Sequence, residues 1–107
     1  MVNNDYCMVL TSFAAIDDAK PLIDNLLSKK LAACVQSFPI HSYYTWKGKV
    51  ENNDEVLLFI KTVSSMYQKI EEEIKLHHPY ETPEIIRIPI TNGSQEYLGW
   101  ISDNVNT

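Results

Sequence analysis

Cysteine is scarce in this 107-residue chain: Cys7 and Cys34 are the only thiols, and they form no CxxC pair. Each sits in an apolar run, Tyr6-Cys7-Met8-Val9-Leu10 or Ala32-Ala33-Cys34-Val35. That is the setting of a buried reduced thiol, not of a disulfide framework. Basic residues are also few, nine Lys and Arg against fourteen Asp and Glu, for a net charge of −5. A nucleic-acid partner needs a basic face to neutralise phosphates, so that class is excluded. The longest apolar run, residues 56–60, is too short to span a bilayer, so no membrane partner is expected. Residues 1–5 lack the basic start and apolar core of a signal peptide, and a cytoplasmic location is the expectation. No activated-serine arrangement, phosphate loop or close metal-ligand spacing occurs, so neither enzymatic activity nor a required cofactor is expected.

The composition that remains, 45% apolar and 21% charged, is that of a soluble globular protein. A single domain over residues 1–107 is large enough to bury a core without staples.

Residues 6–11 read as a first strand, rich in strand formers and bounded by polar residues. Asp17 or Asp18 can cap a following helix, with Ala19, Leu22, Ile23, Leu26 and Leu27 as its apolar stripe. Pro21 is expected in its first turn and Lys29-Lys30 at its end. Residues 32–46 and 50–63 flank Lys47-Gly48-Lys49 as a long hairpin, with a bend or bulge at Pro39. Ser65 and Gln68 resemble a capping box opening a helix that carries Tyr67, Ile70 and Ile74 on one face. Residues 85–90 form a further strand, and residues 94–105 a closing helix with Tyr97, Leu98 and Ile101 inward. This order predicts an α+β ferredoxin-like sandwich, βαββαβ plus a C-terminal helix, with antiparallel strands.

Both sides of that sheet should be apolar. Cys7 and Val9 alternate with Met8 and Leu10 without a polar face, and residues 56–60 do the same. Each hairpin arm runs to about 14 residues, or about 45 Å at ~3.3 Å per residue. A compact domain of this size has a radius of gyration of only ~13 Å. A projecting hairpin and a two-faced sheet point to an obligate oligomer.

The densest chemistry lies in His77-His78-Pro79-Tyr80-Glu81-Thr82-Pro83-Glu84. Pro79 and Pro83 push His78 and Thr82 away from helical backbone, so two imidazoles, a phenol and carboxylates share a stiff bend. Such a corner is either a site or ordinary punctuation after a helix whose histidines complement its dipole.

Several stretches together resemble the CutA family, the divalent-cation tolerance proteins. They are Lys30-Leu31-Ala32-Ala33-Cys34-Val35, Ser42-Tyr43-Tyr44-Thr45-Trp46-Lys47-Gly48-Lys49 and Glu55-Val56-Leu57-Leu58-Phe59-Ile60-Lys61-Thr62. His78-Pro79-Tyr80-Glu81-Thr82-Pro83-Glu84-Ile85, Pro89-Ile90 and Tyr97-Leu98-Gly99-Trp100 complete the series in the family's order. Gln36, His41, Tyr43 and the added His77 depart from it.

The resemblance implies a PII-like homotrimer with antiparallel sheets packed around a threefold axis, in the cytoplasm, linked to tolerance of copper and other divalent metal ions. It carries Cys34 and His78 over as candidate metal ligands, joined here by His77. Thiolate with imidazole suits copper or zinc, although Cys34 reads first as a buried core thiol. It carries Trp46, Lys61, Tyr80, Glu81 and Glu84 over as residues lining clefts between subunits. The alternative function it implies is a PII-like signalling scaffold that binds a small anionic ligand or a protein partner in those clefts.

Overall fold

A computed structural model describes residues 5–106, so most of the leader reading of residues 1–5 lies outside the described residues. The elements run β1 (Tyr6–Phe13), α1 (Ile16–Ser28), β2 (Cys34–Trp46), β3 (Lys49–Val63), α2 (Tyr67–His77), β4 (Ile86–Ile90) and α3 (Gln95–Asp103). One four-stranded sheet has the order β2-β3-β1-β4, and all its neighbours are antiparallel. This is the expected α+β ferredoxin-like arrangement.

Strand alternation assigns the two faces. Cys7, Val9 and Phe13 of β1 face the same way as Leu58 and Ile60 of β3. They meet Leu22 and Leu26 of α1 and Ile70 and Ile74 of α2 in a fully buried core. The opposite face carries Met8, Leu10, Phe38, Leu57, Phe59, Ile86 and Ile88. Phe38 remains 45% exposed and Ile86 48% exposed there, and Phe38 stacks on Phe59 at 5.1 Å between centroids. Helix α3 covers only one end of this face, where the Tyr6 hydroxyl reaches Ser102 and Lys61 reaches Tyr97.

Helix α1 ends in a Schellman motif. The Leu31 amide donates to the Leu26 carbonyl at 2.9 Å, and the Lys30 amide to that of Leu27 at 3.1 Å. Lys30 supplies the left-handed residue at φ 56°, and Leu31 then drops into the core. The hairpin turns on Lys47 and Gly48, both at positive φ as a type I′ turn requires.

Local expectations change at four places. Neither Asp17 nor Asp18 caps α1: Ala15 is its N-cap, and the two aspartates lie in the first turn, favoured by the helix dipole. Pro21 therefore falls in the second turn, with its ring exposed. The Ser65–Gln68 capping box does not form, because residues Ser64–Met66 make a 3-10 turn before α2 starts. Pro39 causes no bulge: pairing runs unbroken from Cys34↔Lys61 to Trp46↔Lys49. Strand β2 is an edge, where an amide pointing away from β3 needs no ladder partner.

Two buried threonines on neighbouring strands make opposite predictions. The Thr62 hydroxyl donates to the Leu31 carbonyl at 2.6 Å, whereas that of Thr11 finds no partner among the described residues. Thr62→Val should cost about 1–2 kcal/mol by orphaning a carbonyl. Thr11→Val should be neutral or stabilising, since it removes an unpaired hydroxyl at constant shape. Urea denaturation of the two variants checks the pair, and equal losses would refute it.

Candidate functional site

The His-Pro corner and the middle of the hairpin close on each other. Helix α2 stops at His77, and His78 turns extended (φ −87°, ψ 130°), as the following proline demands. The His78 Nε2–H donates to the Ser12 carbonyl at 2.6 Å, and Nδ1 accepts the Tyr80 amide at 3.2 Å. The ring lies between Phe13 at 4.1 Å and Tyr80 at 4.6 Å. Both imidazole nitrogens are thus engaged by backbone groups. His78 acts as a keystone that locks the corner onto the end of β1 and aims Tyr80 at the hairpin.

Tyr80 donates its hydroxyl to Oε2 of Glu55 at 3.0 Å. Glu55 is only 8% exposed. Burial, then this hydrogen bond and the Glu55 charge, push the Tyr80 phenol up to about 12. Burial and the nearby Glu55 charge also raise the Glu84 carboxyl above its ordinary range. Between hairpin and corner opens a cavity of about 770 Å³. Its wall includes Tyr44, Trp46, Glu55, Tyr80, Glu81 and Glu84, with Ser12 and Ser42 completing the floor, and no Lys, Arg or His takes part.

Of the residues singled out in the sequence, Trp46, Tyr80, Glu81 and Glu84 converge here. Lys61 does not: its ammonium donates to the Tyr97 hydroxyl at 3.2 Å and lies 5.2 Å from that ring's centroid. That contact draws Tyr97 to the surface, 40% exposed instead of inward. Cys34 is half-buried on the second sheet face, opposite Lys61 in register. Ser12, which holds His78, is opposite Leu57. Four residues of strand, about 13 Å at ~3.3 Å each, separate the two rungs, so Cys34 and His78 do not meet.

His77 serves the helix layer. Its Nδ1–H donates to the Glu73 carbonyl at 2.9 Å, beside Asn25, whose amide donates to Glu73 Oε2 at 2.8 Å. Lys29 bridges to Glu73 at 2.8 Å, and this pairing holds the Glu73 carboxyl below its usual range. Among the described residues, no group of three or more His, Cys, Asp or Glu is placed to hold a metal ion. Glu55 was not singled out: the sequence shows only a glutamate at the start of an apolar strand, and its sheet face and its partner Tyr80 come with the fold.

Residues 7–104 match the family described as CutA1 divalent ion tolerance protein. The divalent-cation tolerance protein CutA of Archaeoglobus fulgidus is 42% identical over 91 residues, covering 85% of this chain and 89% of that protein. That of Thermus thermophilus is 38% identical over 98 residues, with 91% and 95% covered. Among solved structures, the periplasmic CutA of A. fulgidus superposes with a TM-score of 0.91 at 38% identity, covering 94% of this chain and 99% of that one. CutA1 of Shewanella sp. SIB1 superposes at 0.92 and 35% identity, covering 98% and 99%. With that agreement in sequence and fold, the chain belongs to the CutA1 divalent ion tolerance family.

Proposed function

We propose that the chain works in divalent-cation tolerance as a homotrimer that binds the cation at the Glu55 and Glu84 carboxylates. The observation that carries this reading is a nearly buried glutamate beside a second carboxylate in a cavity whose described lining residues include no Lys, Arg or His. A nearly buried carboxylate with a second, more exposed one beside it favours a counter-cation. Two carboxylates supply oxygen donors, and water would complete the shell of a divalent ion. The same wall is unsuited to an anionic ligand, which leaves a PII-like role to the shape of the assembly. Copper at His78 with Cys34 would require His78 to give up two backbone hydrogen bonds and Cys34 to cross the sheet. The homotrimer rests on the open apolar sheet face, and a reducing cytoplasmic setting on two unpaired thiols. Binding, not catalysis, is the role proposed.

Calorimetric titration with Mn(II) and Cu(II) tests the site. Glu84→Gln should weaken binding at least about tenfold, a loss of 1.4 kcal/mol. His77→Ala should leave it unchanged. The pH dependence has a definite sign. A carboxyl with a raised pKa is protonated earlier as pH falls, so affinity should begin to drop above the ordinary carboxylate midpoint of ~4.3. Binding lost in His77→Ala but kept in Glu84→Gln would assign the ion to the imidazole instead.

A further inference from the structure

A metal ion fills a small part of a 770 Å³ cavity. That volume is the size of a small-molecule site, and its wall has a particular chemistry. Tyr44 and Trp46 of β2 share a sheet face with Glu55 of β3, and Tyr80 closes the opposite side. Aromatic faces carry negative potential, and the carboxylates of Glu55, Glu81 and Glu84 add charge of the same sign. The Trp46 ring already attracts a cation, since the Lys47 ammonium lies 5.7 Å from its centroid.

From this combination we propose that the cavity binds a small organic cation, a substituted ammonium with an apolar body. The ammonium pairs with Glu84 and Glu55, and its alkyl groups rest against Trp46, Tyr44 and Tyr80. This inference shares the carboxylates of the divalent-cation reading but adds the aromatic wall, which a hydrated metal does not need. The two readings therefore separate by mutation.

Choline serves as the probe, with 3,3-dimethylbutan-1-ol as its neutral isostere, titrated by NMR into the whole protein. Choline should bind at least about tenfold more tightly than the isostere. Trp46→Leu should weaken choline about tenfold, while Trp46→Phe, which keeps a ring, should retain it. Neither Trp46 variant should alter Mn(II) affinity, whereas Glu84→Gln should weaken both ligands. Trp46 and Glu84 are exposed enough that these substitutions leave the core alone. Equal binding of choline and its isostere, or unchanged choline binding in Trp46→Leu, would overturn the proposal. So would no choline binding, and if Glu84→Gln still abolished Mn(II) binding the divalent-cation reading would survive alone.

Discussion

Phe59→Asp is expected to drive the protein from the proposed trimer to monomer, the largest single-residue effect expected if the open sheet face is the subunit contact. Phe59 lies opposite Leu10 in register, stacks on Phe38, and faces away from the helix-covered core. Around it Leu57, Met8, Ile86 and Ile88 form an apolar field that α3 covers only at one end. An aspartate at its centre puts an unpaired charge into whatever surface covers that field, at a cost of several kcal/mol. Sedimentation equilibrium of the wild type should give three times the 12.3 kDa chain mass, and the variant the chain mass alone. The wild-type melting temperature should rise with protein concentration, because association stabilises the folded state by mass action. A wild-type monomer at micromolar concentration, or a variant that stays trimeric, would sink the assembly.

His78→Ala should cost about 2–4 kcal/mol of stability and leave the folded protein still able to bind metal, weakened only as far as the loosened corner displaces Glu84. The substitution removes a ring packed between Phe13 and Tyr80, and it orphans the Ser12 carbonyl and the Tyr80 amide. Loosening the corner also frees Tyr80 from Glu55. Urea denaturation alongside a Mn(II) and Cu(II) titration separates a keystone from a ligand. Intact stability with metal binding lost would return His78 to the ligand set.

Hydrophobic period and turn chemistry made most of the fold legible. Val9, Leu58 and Ile60 announced buried strands, Lys47-Gly48 a tight hairpin turn, and residues 94–105 a closing helix, which the structure starts at Ser94, the cap that accepts the Tyr97 amide. Helix starts were less legible, because Asp17 and Ser65 have the right chemistry but stand one or two residues off the entry that the tertiary fold sets. The site was half legible. Pro79 and Pro83 marked the corner, yet the partner that consumes the His78 ring lies 66 residues earlier in the chain, and no spacing rule reaches that far. Glu55 stayed hidden for a similar reason: its meaning depends on Tyr80 crossing from another element. Lys61 and Cys34 fell on the two arms of the expected hairpin, and the structure pairs them at a rung remote from the cavity.

The length of the hairpin has a consequence for how the cavity behaves in time. Near Cys34 and Lys61 the ladder lies over helices and its neighbours are buried, whereas from His41 to Asn52 nearly every residue is exposed. The outer rungs are held by strand pairing and by side-chain links such as His41 to Asp54 at 2.7 Å and Tyr44 to Asn53 at 2.5 Å. Local opening free energy should therefore decline along the hairpin toward its turn. Tyr44 and Trp46 belong to the outer, softer half, while Glu55 and Tyr80 belong to the firm base. An occupant that bridges the two halves must quieten the outer strand, and the entropy lost in doing so lowers its affinity. A neighbouring chain that stiffened the same strand first would leave less to lose, so ordering alone can link occupancy of the cavity to assembly.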